Sequence, residues 1–376
     1  MPIADRFAYF DHAAVGPMSG PAADALRTFA DQAARLGDTV WPDWNATLGS
    51  VRRSAADLLH ATPGDVCLIP NTTTGINLIA EGFPWHAGDN VVLPDGEFPS
   101  NLFPWQNQRA RGVEVRIVPR RSGRVEVEDL IDACDERTRI IAVSWVGYAT
   151  GFRVDIAGLV DAAHRRGVRV FLDAIQGLGI YPLDVSATPV DFLAADGHKW
   201  LLGPEGLGVA MIRAEHQDTI RVGNVGWASV RDSHNYADPT FRLRGDATRF
   251  ESGSGNMAGA SALSASLKMF VDVVEMHGKD AVASRVIDVT DEVRRRLSAA
   301  GAVTPGADTL VEFEPVHRSG IVTFELPGVE PAQFRRVAAD RDVVVSCRGG
   351  GVRVACHVYN NDDDIDRLMD VVRTFV

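Results

Sequence analysis

Phe171-Leu172-Asp173-Ala174-Ile175-Gln176, then Ala195-Asp196-Gly197-His198-Lys199-Trp200, then Gly203-Pro204-Glu205-Gly206-Leu207-Gly208 is the part of the chain from which the fold can be read. An acid closes one apolar run, and a lysine placed 26 residues later follows a second such run and leads into a glycine-rich turn. Short continuous apolar runs read as strands buried on both faces, so both side chains should emerge at one edge of a sheet. Working outward, Val91-Val92-Leu93, Val115 to Val118, Ile140 to Val143, Val168 to Leu172 and Val209 to Ile212 read as further strands. Between them, Ile156, Leu159, Val160 and Ala163 recur at helical spacing before a stop at Gly167. This alternation predicts an α/β fold, a mainly parallel sheet covered by helices on both faces, with ligands beyond the carboxyl ends of the strands.

After residue 256 the rhythm changes. Long helical stretches are expected from Ala258 to Met276 and from Lys279 to Leu297, then strands such as Ile321 to Phe324, then a last helix from Asp362 to Phe375. The division expected is a large domain over 15–265 and a small α+β C-terminal domain over 266–376, joined by the N-terminal segment 1–14 and by a continuous helix near residue 265.

With 45% hydrophobic and 23% charged residues in 376, the chain has the composition of a globular protein able to bury a large core. A net charge of -12 and the absence of any long basic run argue against nucleic acid as a partner. No apolar stretch reads as long enough to span a membrane and the start shows no signal-peptide pattern, so no membrane partner and a cytoplasmic location are expected. Cys67, Cys134, Cys347 and Cys356 have neither disulfide nor zinc spacing, and no metal site is expected. The 38 basic residues comprise 35 arginines and only Lys199, Lys268 and Lys279. Where arginine has taken over surface charge, a surviving lysine is worth asking about, because an amine can form a Schiff base and a guanidinium cannot.

Lys199 is the one of the three inside a motif. An amine and a carboxylate converging at a sheet edge suit pyridoxal phosphate, the lysine capturing the aldehyde and the acid keeping the pyridine nitrogen protonated. At this point the sequence resembles the class V aminotransferases, with the cysteine desulfurases, isopenicillin N epimerases and related fold type I pyridoxal phosphate enzymes. The resemblance runs from Tyr9-Phe10-Asp11-His12-Ala13-Ala14 through Asn71 to Asn77, Asp173 to Gln176, His198-Lys199 and Arg249 to Ser254, to Val352-Arg353-Val354 before Tyr359-Asn360.

The resemblance implies the fold type I architecture, with a mainly parallel seven-stranded sheet in the large domain, and it implies that Lys199 is the Schiff-base lysine, that Asp173 partners the pyridine nitrogen and that Gln176 reaches the phenolic oxygen. It places His198 and the run Thr72-Thr73-Thr74 at the phosphate, where the residues alone also predict a helix N-terminus suited to an anion. Phe98 takes the position that stacks on the ring. Ser254 matches a residue sent to the phosphate across a homodimer interface, giving shared active sites. Arg353 matches the arginine that grips the substrate α-carboxylate. Tyr148 stands where many relatives have asparagine. Arg348, Trp227 and His357 are further candidates for the substrate pocket.

The departures bear on the reaction. Desulfurases carry a nucleophilic cysteine on a mobile loop and stack a histidine on the cofactor; here Cys347 precedes Arg353 by only six residues and Phe98 replaces the histidine. Persulfide chemistry therefore ranks below the alternatives, although Arg348 beside Cys347 would favour a thiolate. The leading expectation is an aminotransferase whose small-molecule substrate is an α-amino acid, with Lys199 moving the proton. A lyase (β-elimination at a C–S bond, or decarboxylation) or an epimerase comes second. Outside that class stand a dinucleotide-binding dehydrogenase, which the late Gly203 to Gly208 run fits poorly, and a non-catalytic ligand-binding α/β protein.

Overall fold

The computed structural model describes residues 1–237 and 239–376. The strands in chain order are β1 (Ala8–Tyr9), β2 (Val66–Ile69), β3 (Asn90–Pro94), β4 (Glu114–Val118), β5 (Thr138–Ser144), β6 (Arg169–Asp173), β7 (Phe192–Asp196) and β8 (Gly208–Ile212). All but β1 form one seven-stranded sheet in the order β2-β8-β7-β6-β5-β3-β4. Only β8 runs against its neighbours, antiparallel to both β7 and β2. The link between β7 and β8, residues 197–207, holds no crossover helix, and a parallel return needs one. That link is the glycine-rich turn after Lys199. Every residue of β3, β7 and β8 is buried, as strands covered on both faces require.

The covering helices follow local sequence. In the helix Ile156–Arg165 the Asp155 carboxylate accepts the Gly158 N–H as N-cap, and Ile156, Leu159, Val160 and Ala163 form the buried stripe. Gly167, at a φ of 71°, follows its end, where a side chain would be strained.

The second sheet is antiparallel, in the order β11-β12-β9, built from β9 (Ile321–Phe324), with β10 (Val343–Val344) nearby, β11 (Ser346–Arg348) and β12 (Gly351–Ala355). β1 pairs in parallel with β10, so the N-terminal segment is bound to this part of the fold. Phe10, Val293, Leu297, Phe324, Phe334 and Leu368 lie in a core of their own. The helix Met257–His277 runs unbroken through residue 265. It corrects one expectation, for by length and a mean hydropathy of 1.3 it is apolar enough to cross a membrane. In this fold it packs against the helices Gly20–Leu36 and Trp41–Leu59 and buries Ala260, Leu263 and Leu267.

Candidate active site

Asp173 is the last residue of β6 and pairs in register with Ser144, the last of β5. Asp196 ends β7, so the alternation of buried strands delivers three strand ends to one edge. Lys199 follows in the turn held by Asp196, whose carboxylate accepts the Gly197 N–H at 2.8 Å. The N-terminal segment presses on this turn. Gly16 donates its N–H to the His198 carbonyl at 2.6 Å, and a Cβ on Gly16 would lie 2.1 Å from the Lys199 carbonyl oxygen. Around Lys199 opens a cavity of about 410 Å³ that Thr72, Phe98, Asp173, Gln176, His198 and Arg353 help to line. That is a size suited to a small-molecule ligand.

Burial dominates the electrostatics. It lowers the Lys199 ammonium to about 8, against the pull of Asp173, with Arg353 acting in the same direction as burial. Burial likewise pushes the Asp173 carboxyl up to about 6, opposed by the Ile175 N–H and by Lys199. Glu97 is raised to about 7 by burial, with Asp173 adding to the effect. Its two oxygens accept the Ser144 N–H at 2.7 Å and the Ser144 hydroxyl at 2.5 Å, which ties the loop carrying Phe98 to the end of β5. The Phe98 ring lies 5.8 Å from the Lys199 ammonium. An acid and an amine held this close to neutrality are equipped for proton transfer.

The helix Thr72–Gly82 points its N-terminus at the cavity. Asn71 caps it, accepting from the Thr74 N–H at 2.9 Å and the Thr74 hydroxyl at 3.1 Å, so Thr74 is spent on the cap and does not line the cavity. Thr73 lines it and donates to Ser100 at 2.8 Å. Two buried polar atoms are orphaned here: the Thr72 hydroxyl and His198 Nδ1, which sits 3.1 Å from Asp196 without hydrogen-bond geometry. Unpaired donors at a helix N-terminus fit a phosphate group. Gln176 also lines the cavity, its amide donating to the Ala13 carbonyl at 3.0 Å and its oxygen accepting the Trp200 indole N–H at 2.6 Å. The donor set suits a phosphorylated pyridine aldehyde, with Asp173 and Lys199 available to its nitrogen and its carbonyl.

At the other side, Arg353 is buried, donating from Nη2 to Asp11 at 3.0 Å and from Nη1 to the Tyr148 carbonyl at 2.9 Å. Its Nε–H has no partner among the described residues. The Tyr148 ring meets Phe98 edge-on, 5.2 Å between centroids. Arg348 reaches the same cavity from β11. Cys347 does not line it. In the β11–β12 register Ser346 lies opposite Arg353 and Cys347 opposite Val352, and side chains alternate along a strand, so Cys347 shares the Val352 face. Burial raises its thiol pKa despite Arg335 and Arg348 nearby.

Three candidates lie elsewhere in the chain. Ser254 and Trp227 line a separate groove of about 850 Å³ with Trp41, Arg52 and Tyr236. Trp227 is therefore not brought to the Lys199 cavity. Nor is His357, fully buried among His12, Trp200 and Tyr359, where burial lowers it to about 4. Asp11, Asn71, Glu97 and Ser100 belong to the site or its support and were not singled out by sequence. Glu97 precedes Phe98 directly, and that adjacency was the available signal.

Comparison with known proteins gives the family and the fold. The family model for aminotransferase class-V matches residues 8–368. A probable cysteine desulfurase of Methanothermobacter thermautotrophicus is 28% identical over 85% of this chain and 82% of its own length. The isopenicillin N epimerase of Amycolatopsis lactamdurans is 28% identical over 95% of this chain and 92% of its own. Among solved structures, a cystine C–S lyase in complex with its reaction product cysteine persulfide superposes with a TM-score of 0.90, at 22% identity, over 99% of this chain and 98% of the other.

Proposed function

This chain belongs to the class V aminotransferase family and uses pyridoxal 5′-phosphate, and from that premise we propose that it transforms an α-amino acid with Lys199 as its one proton-transferring group, transamination being the leading reaction. The observation that carries this is the Lys199 amine, lowered to about 8 by burial and facing a cavity from which the nearest cysteine is turned away.

When bound, the cofactor supplies an aldehyde for amine capture and a protonated ring that draws electrons from the substrate Cα. Thr72, Thr73 and His198 would hold its phosphate, Asp173 its ring nitrogen, Gln176 its phenolic oxygen, and Phe98 would cover the ring. Arg353 would take the substrate α-carboxylate on its unspent donors, and Asp11 keeps the guanidinium in place. Lys199, once its amine is released, is neutral in a useful fraction at neutral pH and so can take a proton from Cα. A single amine can also return that proton to a second carbon on the same side, which is what transamination asks of it.

A second reading is elimination at a C–S bond. It is favoured by the likeness to the cystine C–S lyase together with the position of Cys347, since sulfur would then leave without a protein thiol. The proposal includes a homodimer: Ser254 lies in a groove with the exposed Trp227 and Tyr236, where a second copy of the chain would bring it to the partner's phosphate site.

The test is spectroscopic. Purified protein should show a visible cofactor band that borohydride abolishes, and Lys199→Ala should lose it. Amino acids that convert the band to a stable pyridoxamine spectrum indicate transamination; return of the band with release of ammonia or thiol indicates the lyase. A wild-type protein that cannot be loaded with pyridoxal phosphate refutes both.

A further inference from the structure

The substrate side of the cavity presents two guanidinium groups in different states. Arg353 is committed, with Asp11 on Nη2 and the Tyr148 carbonyl on Nη1. Arg348 is exposed, and among the described residues its side chain makes one hydrogen bond, from Nη1 to its neighbour's carbonyl, Cys347 O, at 2.8 Å. The nearby carboxylate is taken: Asp11 serves Arg353 and also accepts from the Ser346 hydroxyl at 2.7 Å. The acids that line the cavity, Asp173, Asp196 and Glu205, stand at the end of β6, at the end of β7 and on the β7–β8 turn, whereas the β11–β12 hairpin meets the loop after β5.

The hairpin fixes where Arg348 sits. β11 and β12 are joined by Gly349-Gly350 alone, at φ 58° and 85°, a two-residue turn whose positive φ at both positions suits glycine. A Cβ on Gly349 would lie 3.2 Å from the Ala149 side chain, so the turn is seated against the loop after Tyr148. Along β11, Ser346 and Arg348 point to one face, and Ser346 lies opposite Arg353. Arg348 is thus the diagonal neighbour of Arg353, about 7–8 Å away at the backbone, a separation long side chains can close. The two are near enough that Arg348 helps lower Arg353.

We propose that Arg348 is a specificity-determining residue that receives the anionic end of the substrate side chain, so that the preferred substrate is a short dicarboxylic amino acid held by Arg353 at the α-carboxylate and by Arg348 at the distal one. This rests on the α-amino acid reading above and goes further by naming the substrate class. Two guanidiniums at diagonal positions on one face of the hairpin, one neutralised by Asp11 and one with no carboxylate partner among the described residues, favour a ligand with two carboxylates over a ligand with one.

The experiment uses inert acids that lack an amino group, titrated calorimetrically into the pyridoxal phosphate holoenzyme: succinate and glutarate against butyrate. The wild type should bind a diacid at least about tenfold more tightly than the monoacid. Arg348→Ala should remove most of that preference with a much smaller change for butyrate, and Arg348→Lys should restore part of it. The cofactor spectrum of each variant shows that the site is intact. A wild type with no preference for diacids overturns the proposal, as does an Arg348→Ala variant that weakens both acids equally. Failure of the underlying reading is seen earlier and separately, because protein that takes up no pyridoxal phosphate shows no visible band before any titration begins.

Discussion

Replacing Asp173 with asparagine should make the cofactor-free protein more stable at neutral pH while depriving it of the cofactor. Asp173 is 2% exposed, and burial raises its carboxyl from an ordinary 3.8 to about 6. Its contribution to stability is therefore complete below about pH 4, is lost as the pH rises, and is gone above about pH 6, because the unfolded chain ionises freely where the cavity resists. That difference, at about 1.4 kcal/mol for each tenfold change in proton affinity, is roughly 3 kcal/mol. Lys199 returns part of it, since the variant removes the carboxylate that supports its charge, leaving a net gain of about 1–2 kcal/mol. Asparagine keeps an oxygen for the Ile175 N–H, which donates to Asp173 at 3.1 Å, so the local turn survives. Urea unfolding of both apo proteins, followed by tryptophan fluorescence, should show the variant ahead by that amount at about pH 7.5 and by much less at about pH 3.5. A variant that is less stable at neutral pH, or ahead by the same margin at both, would refute burial as the cause of the shift. In the presence of pyridoxal phosphate the order should reverse, because ligand-linked stabilisation is then available only to the wild type.

Three further outcomes follow from single contacts. Cys347→Ser should change turnover by less than about twofold, including any sulfur release from cysteine, because the thiol faces Val352 and not the cavity; loss of sulfur release with an intact cofactor spectrum would show the strand facing to be wrong. Gly16→Ala should cost about 2 kcal/mol or more, visible as a fall in thermal midpoint, since its Cβ would meet the Lys199 carbonyl at 2.1 Å and a backbone atom cannot swing aside. Asp11→Ala should cost about 3 kcal/mol by leaving the Arg353 guanidinium, 2% exposed, without its counter-charge; an unchanged midpoint would mean that Arg353 is not held by Asp11 in solution.

What the sequence reveals of this protein depends on how far apart the interacting residues lie. Strands β3, β5, β6 and β8 are legible because burial on both faces demands continuous apolar runs, whatever the partner. The reversal of β8 is legible only through its connection, since a parallel return needs a crossover helix and 197–207 reads as a glycine-rich turn without one. Asp173 and Lys199 are legible for a related reason: each directly follows or closes an apolar run, so local pattern alone carries it to the sheet edge. The pairing of Asp11 with Arg353 joins residues 342 positions apart and rests on β1 pairing with β10, a two-residue contact with no periodicity to announce it. Glu97 is hidden differently, because an acid beside an aromatic reads as an ordinary loop until Ser144 is seen to fill both of its oxygens. The three scarce lysines differ on physical grounds. Lys268 is exposed and pairs with Asp272 at 2.7 Å, a task arginine performs equally well, and Lys279 is exposed beyond the end of the helix Met257–His277. Lys199 alone occupies a half-buried position in the cavity where a compact amine can shed its proton near neutral pH, and a guanidinium, charged at any accessible pH, could not take its place.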